Sequence, residues 1–262
     1  MNVAFHDARF EGVGKGVWVK NAQGRQVDID DNYLLVAGYG ILLQNCTPLG
    51  QTGQVGDNTI LLQGNDPEGF GIFATEAGPT TAERSWRIHH NSIQLESGRY
   101  GIRVLNTHFA KVQFNDLSIT TPQGNYSGIR ATASPNIFVN CNELHGDGIG
   151  TDQAPQASGI FIEDCLTSQI NCNTVAATPI GIQFLVHCDQ SRLRGYVFYT
   201  HMNGLLLGQH PANGDAWISD QPHHGNRWLG QSIAGVAARH LGSQTVVEGS
   251  TFCYDGAEDF AF

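Results

Sequence analysis

The chain has 262 residues, 32 of them Gly, and its 14 basic residues against 24 acidic ones give a net charge of -10. This acidic balance argues against a nucleic-acid partner, because binding a phosphate backbone needs a basic footprint. No apolar run reaches the roughly 20 residues that a membrane span needs, and nothing near Met1 has the parts of a signal peptide. The Gly-rich, Lys-poor composition favours turns and β-strands.

The first recurring motif consists of an aliphatic residue, two further residues, Asn, one residue and a second apolar residue. Weaker copies, with another residue in place of Asn, begin at Phe5, Leu193 and Val247. At a tight turn Asn tolerates a left-handed backbone, and its amide can bond to the amide of the next coil. The motif therefore predicts a structural ladder formed by Asn32, Asn58, Asn91, Asn115, Asn142, Asn173 and Asn226.

A second motif, Gly followed by an aliphatic residue, alternates with the first along the chain. Its closest copies, Gly159 and Gly181, are 22 residues apart, and a unit that short cannot contain a βαβ crossover. It fits one coil of a parallel β-helix, in which the Gly supplies a positive φ or a close backbone approach where a strand begins. The sequence thus predicts an all-β parallel β-helix, a solenoid of roughly nine to ten coils.

These coils resemble the right-handed parallel β-helix proteins often called pectin-lyase-like, over nearly the whole chain. The stretch from Asp215 to Trp228 is also similar to the ending of repeat regions in large secreted surface proteins of Bacteroidetes. The resemblance implies a right-handed helix in a secreted or cell-surface protein. Because neither end shows the polar cap that a solenoid needs, we expect residues 1–262 to be one uncapped domain with flanking domains of a longer chain as its neighbours.

The cysteines follow the register of the repeat rather than a zinc-binding spacing. Cys46 and Cys165 both lie six residues after their Gly, whereas Cys141 and Cys172 both precede a ladder Asn. Stacking of small side chains inside the coil is the favoured interpretation, because free Cys packs as a small hydrophobe. A Cys141–Cys172 disulfide is the alternative, since adjacent coils are about 4.8 Å apart.

Long connections after the Asn motif are concentrated in four successive coils, so they are expected to project from one corner and form a lateral wall. They are the loops Leu61–Phe70, Gln94–Tyr100, Ser118–Ser127 and His145–Ser158. Carboxylates, Arg, His and aromatic rings are the groups that a carbohydrate site uses. The candidate catalytic residues on the wall are Asp66, Glu68, Arg99, His145, Asp147 and Asp152, and the candidate ligand-binding residues are Glu96, Tyr100 and Tyr126.

We expect no metal site and no cofactor. The pairs His89-His90 and His223-His224 are adjacent in sequence, and adjacent side chains on an extended strand point to opposite faces. The known catalytic sets of the resembling enzymes do not carry over either. The stretch that begins at Asn106 reads Asn-Thr-His rather than the Asn-Thr-Asp of polygalacturonases, and Arg-Ile-Lys is absent.

The sequence therefore favours a non-catalytic β-helix module of a secreted or cell-surface protein. Such a module would act as a rigid spacer or adhesin-like segment, with polysaccharide or another surface glycan held along the wall. One alternative is a polysaccharide lyase or glycoside hydrolase that acts at the wall. A second alternative is a segment of a trimeric viral tail fibre, which shares the rod and the uncapped ends.

Overall fold

The computed structural model describes residues 3–48, 53–64, 66–77, 85–120, 126–146, 157–208, 216–218, 221, 226–229 and 236–241. Within these ranges the chain forms 23 strands and no helix. All strand pairs are parallel, and each strand pairs with the equivalent strand of the next coil. The predicted all-β parallel β-helix is therefore confirmed. No segment in the described ranges forms a helix that could cross a membrane.

The strands belong to two sheets. The shorter sheet contains eight strands: β1 (Val3–His6), β3 (Val27–Asp30), β5 (Gly53–Gly56), β8 (Trp86–His89), β11 (Lys111–Gln113), β14 (Phe138–Asn140), β17 (Gln169–Asn171) and β19 (Arg192–Arg194). The longer sheet contains β2 (Arg9–Lys20), β4 (Tyr33–Gln44), β6 (Thr59–Leu62), β7 (Phe70–Thr75), β9 (Ser92–Leu95), β10 (Tyr100–Leu105), β12 (Asp116–Ile119), β13 (Ser127–Thr132), β15 (Glu143–Gly146), β16 (Ser158–Glu163), β18 (Thr174–His187), β20 (Val197–Leu207), β21 (Ala216–Trp217), β22 (Arg227–Leu229) and β23 (Val236–His240).

The described coils make about seven turns, slightly fewer than predicted. The strands β2, β4, β18 and β20 are long, and each continues through a corner of its coil. In the four coils between β4 and β18, two shorter strands joined by a connection take the place of the long strand. Thus β4 pairs with β6 through its first half and with β7 through its second half. The wall loops all lie at this connection, the corner at which the sequence placed them.

The core is a column of aliphatic side chains along the axis of the rod. Ile29, Val55, Ile88 and Val112 follow one another in register on the shorter sheet, and all four are 0% exposed. Burying such side chains contributes about 1.5–3 kcal/mol each. The alternation of inward and outward residues on each strand then leaves every second side chain facing out of the coil.

The predicted asparagine ladder is present. Each amide Nδ2 from Asn32 to Asn142 donates to Oδ1 of the next ladder Asn at 2.9 Å. The same amide also donates to a backbone carbonyl of the preceding coil, as Asn115 does to Ile88 at 3.0 Å. Tyr196 interrupts the column, and its backbone N–H donates to Oδ1 of Asn226 at 3.0 Å.

The left-handed backbone of this turn belongs to the residue before each ladder Asn, not to the Asn itself. The φ angles are 57° at Asp31, 53° at Asp57, 52° at His90 and 56° at Phe114. This position turns the chain, so that the following Asn can point into the coil. The prediction named the correct turn but assigned its left-handed conformation to the wrong residue.

The recurring Gly serves close approach rather than positive φ. A Cβ at Gly101 would lie 2.5 Å from the backbone oxygen of Gly128 and would overlap the Leu117 side chain. Equivalent contacts with the next Gly oxygen recur at Gly71 and Gly128. Any side chain at this position would push two neighbouring coils apart.

The four cysteines Cys46, Cys141, Cys165 and Cys172 divide into two groups. Cys46 and Cys165 are fully buried, as the stacked-core interpretation predicts, and burial raises the pKa of both thiols. Cys141 is half-buried and Cys172 is exposed, so the interpretation is wrong for this pair. Both are free thiols at the left-handed turn position, with φ angles of 53° and 55°. Their side chains lie at the outside of the turn because that conformation directs them away from the core.

Candidate functional site: an outward aromatic and arginine strip

The most distinctive outward surface lies on the longer sheet, beside the wall loops. It consists of side chains on β2, β4, β7, β10, β13 and β16, which we call the strip: Trp18, Tyr39, Leu42, Phe70, Phe73, Tyr100, Arg103, Arg130 and Phe161.

Alternation places these side chains outside the coil. On β10 the flanking residues Ile102 and Val104 are 0% exposed and face the core, so Arg103 between them faces outward. Register then aligns Arg103 with Phe73 on one side and with Arg130 on the other. The strip is therefore a direct consequence of parallel stacking.

Aromatic rings form the first half of the strip. The Tyr39 and Phe70 rings stack with centroids 4.8 Å apart, and Phe73 meets Phe70 edge-on at 5.2 Å. Leu42, Phe70 and Tyr100 are 7%, 7% and 3% exposed and form a second hydrophobic cluster separate from the main core. They support the more exposed side chains of the strip, and Tyr100, a predicted ligand-binding residue, offers a ligand little surface. Trp18, 37% exposed, lies 6.0 Å from Tyr39 and extends this surface towards the first coil.

Cationic groups lie over these rings. The Arg103 guanidinium is 4.7 Å from the Phe73 centroid and 4.8 Å from that of Tyr100. The Arg130 guanidinium is 4.4 Å from the Phe161 ring. Such contacts are worth about 0.5–1 kcal/mol at exposed sites, and they fix the orientation of each guanidinium plane.

Arg103 differs from the other strip arginine in its partners. Arg130 forms an ion pair with Glu163 at 2.9 Å, whereas Arg103 has no ion pair in the described part of the chain. Its Nε is buried and has no hydrogen-bond partner. Burial lowers the pKa of Arg103, with the charge of Arg130 acting in the same direction. A half-buried guanidinium without an anion is a ready recognition group for a carboxylate or sulfate.

Four predicted wall residues converge at the edge of the strip. Glu68 forms an ion pair with Arg99 at 3.0 Å, and the Arg99 guanidinium lies 5.4 Å from the Tyr100 ring centroid. Asp66 accepts a hydrogen bond from the backbone N–H of Glu68 at 3.0 Å. Asp66 also bonds to the Tyr39 hydroxyl, and this raises the pKa of Tyr39.

The other predicted residues lie apart from this group. The Glu96 carboxylate is held by the amides of Gln63 at 2.8 Å and Gln94 at 3.0 Å. Tyr126 is 6% exposed and packs in the main core, so its ring offers a ligand little surface. His145 is exposed on β15 in register with Ser118. Asp147 and Asp152 lie outside the described residues.

Sequence reasoning missed most of the strip, although the signal was present. The strip residues occupy two fixed places relative to the recurring Gly: the position before it, and the position two residues after it. The first gives Tyr39, Phe70 and Tyr100, and the second gives Leu42, Phe73, Arg103, Arg130 and Phe161. These positions lie on the regular strands of each coil, whereas the predicted site residues lie in the long loops.

The reason for excluding the His89-His90 pair as a metal site is wrong. The side chains of His89 and His90 do not point to opposite faces, because their Nδ1 atoms are 3.0 Å apart. The left-handed turn at His90, with φ 52°, breaks the strand alternation on which the exclusion depended. The His223-His224 pair lies outside the described residues.

No model of a known protein family matches the chain, and no curated protein matches its sequence. The parallel β-helix is an observation on this chain itself, and the likeness to pectin-lyase-like proteins and to Bacteroidetes surface proteins stays a prediction.

Proposed function

We propose that the chain is a carbohydrate-binding β-helix module of a secreted or cell-surface protein, and that it holds an acidic polysaccharide along the strip. The module is a rigid rod that presents one recognition surface, as a spacer or adhesin-like segment does. The observation that carries the proposal is Arg103, which lies between two aromatic rings with its Nε unpartnered.

The shape of the strip favours a long ligand. Its side chains belong to six successive parallel strands, and neighbouring strands are about 4.8 Å apart, so the strip extends over about 24 Å. Flat aromatic surface next to a few directed polar groups is typical of a ligand-binding site. A ligand that contacts Trp18 at one end and Arg130 at the other has to be a polymer rather than a single small molecule.

The charge of the strip favours an acidic polymer. The protein carries a net charge of -10, yet two cations of this surface have no ion pair among the described residues: Lys15, 4.3 Å from the Trp18 ring, and Arg103. Arg130 follows along the sheet and is paired with Glu163. Arg recognises carboxylate and sulfate through parallel hydrogen bonds. Sugars that bear these groups would meet positive charge here and repulsion over most of the remaining surface.

Binding is better supported than catalysis. A glycoside hydrolase places two carboxyl groups about 5–10 Å apart on either side of the scissile bond, one of them free to act as an acid. Here Glu68 is occupied by Arg99, and Glu96 is held by two amide side chains. These contacts leave the described wall carboxylates as supports of the loops, so the lyase or hydrolase alternative has weaker support.

Affinity electrophoresis through gels that contain a polyuronate, a sulfated polysaccharide or a neutral glucan tests the proposal. We expect the polyuronate or sulfated gel to retard the protein and the neutral gel to have no effect. Arg103→Gln should lose most of the retardation. Arg192→Gln, which removes the same charge from the outer face of the shorter sheet, should keep it. Equal retardation of the two variants, or none for the wild type, would contradict the proposal, and depolymerisation of a gel polymer would favour the enzyme alternative.

A further inference from the structure

A second group of side chains lies on the turn that follows the shorter sheet, away from the strip. Asp57, His89 and His90 belong to two neighbouring coils, and each offers a ligand atom within 4.8 Å of the others. Asp57 and His90 both adopt the left-handed turn conformation, with φ angles of 53° and 52°. This conformation brings the His90 ring back towards His89, so the two Nδ1 atoms are 3.0 Å apart.

The tautomer of His89 follows from its other nitrogen. His89 Nε2 lies 3.2 Å from Oε1 of Gln54. An amide oxygen only accepts hydrogen bonds, so Nε2 carries the proton and Nδ1 keeps its lone pair. Metal-binding His residues commonly have such a second hydrogen bond, which fixes the ring and its tautomer. Gln54 therefore holds the His89 lone pair in the direction of His90.

Both rings are also fixed by packing. The His90 ring is stacked on Phe114, with centroids 5.3 Å apart and planes 9° apart. The His89 ring lies against Gly56, where a Cβ would come within 2.5 Å of its Cε1 atom. Neither ring has to be ordered when a ligand arrives, which lowers the cost of binding.

The group is open to solvent, and imidazole nitrogen and carboxylate oxygen are groups that bind metal ions. Asp57 and His90 are exposed, so an ion can reach the group from solvent.

We propose that Asp57, His89 and His90 form a binding site for a divalent transition metal ion, zinc or copper, with two imidazole nitrogens and one carboxylate oxygen as ligands. Zinc lies about 2.0–2.1 Å from His nitrogen, and two such ligands of a tetrahedral site are about 3.3 Å apart, so the two Nδ1 atoms, now 3.0 Å apart, have to separate by only about 0.3 Å. Imidazole suits zinc and copper, whereas calcium and magnesium prefer oxygen. The bound ion joins the coil of β5 to the coil of β8, so it acts as a clip between neighbouring coils.

Titration calorimetry of the full chain with zinc chloride tests the site, in a background of His223→Ala and His224→Ala that removes the other His pair. We expect one zinc ion per chain, with affinity reduced at least tenfold by His89→Ala or His90→Ala. Gly56→Ala retains all three ligands but displaces the His89 ring, so it should weaken binding as well. His108→Ala, which removes an exposed His from another turn, is the matched control and should bind as the background protein does.

Copper(II) paramagnetic resonance on the unaltered ligand set gives a readout that needs no destabilising variant. The spectrum should show two coupled imidazole nitrogens, and only one after His90→Ala. Calcium chloride should produce no binding heat at this group. Zinc binding of unchanged stoichiometry and affinity in both His89→Ala and His90→Ala, or a copper spectrum that His90→Ala leaves unaltered, would overturn the proposal.

Discussion

The ladder turn, formed by each ladder Asn and the residue before it, lies on the same coils as the strip. The two differ in how much their residues vary from one coil to the next. At the ladder turn, Asn occupies the same position in six successive coils, and the side-chain amide of each of the first five donates to the next Asn at 2.9 Å. Two residues after the recurring Gly, the outward position changes from Leu42 to Phe73, Arg103, Arg130 and Phe161. Repetition thus builds the rod, and variation along a repeated position provides its specific surface.

The difference has a physical cause. Each buried ladder oxygen accepts bonds from the backbone and side chain of the preceding ladder residue, as Asn115 Oδ1 does from Asn91. Changing one Asn therefore leaves buried polar groups unpaired in two coils. An outward side chain such as Arg103 forms no such buried hydrogen bonds with the neighbouring coils, so it can change without leaving their polar groups unpaired.

The largest effect should come from breaking the ladder. Asn115→Ala should lower the free energy of unfolding by about 3 kcal/mol, because the backbone N–H of Asn91 loses its buried acceptor and the carbonyl of Ile88 loses the amide that donates to it. Urea denaturation measures the loss. Asn140→Ala removes an amide that accepts only one bond, from Asn171, and should cost about 1 kcal/mol or less. Similar losses in the two variants would show that the ladder has no special role.

The next effect concerns the approach of neighbouring coils at the recurring Gly. Gly101→Ala should lower the free energy of unfolding by about 2 kcal/mol, since its Cβ would overlap the Gly128 oxygen and the Leu117 side chain. Gly14→Ala is the control, because a Cβ there has no atom within 4 Å. Thermal melts of both proteins check the difference. A melting temperature for Gly101→Ala equal to that of Gly14→Ala would contradict the close packing described above.

A smaller effect, of opposite sign, is expected where the ladder is interrupted. The Tyr196 hydroxyl is buried and has no hydrogen-bond partner among the described residues, and burial raises the pKa of Tyr196 well above its usual value. Tyr196→Phe removes the unpaired group and keeps the ring that stacks on Phe198 at 4.3 Å. We expect a gain of about 1 kcal/mol in urea denaturation. A clear loss of stability would mean that the hydroxyl has a favourable role.

The smallest effect is a pH dependence at the buried His201. Burial lowers its pKa below 6.5, although hydrogen bonds with the carbonyls of Thr178 and Val175 act in the opposite direction to a lesser extent. The unfolded chain then binds this proton at a higher pH than the folded chain does, so stability falls as pH drops through about 6.5. Thermal melts between pH 8 and pH 5 should show a shallower decline for His201→Gln than for His108→Gln. Identical declines would contradict a lowered pKa.

Much of this architecture could be predicted because single residues determine it. A ladder needs one Asn per coil and close approach needs one Gly, so both appear directly in the sequence. The outward direction of Arg103 follows from alternation with Ile102 and Val104, but the side chains that lie beside it are set by the register between coils, so the strip as a surface was not predicted. The His89-His90 pair was misjudged for a local reason: strand alternation fails where His90 turns left-handed. The partners of Glu68 and Glu96 are also set by neighbouring coils, which spacing along the chain does not reveal.

The most direct test of the central claim is a calorimetric titration of Arg103→Leu with whichever acidic polysaccharide retards the wild-type protein. The substitution gives position 103 the residue that the aligned position 42 carries. The outward position then varies less along the strip, and the sheet carries an apolar side chain in place of the guanidinium. If variation along the strip confers recognition, affinity should fall at least tenfold relative to the wild type. An affinity equal to that of the wild type would contradict the account.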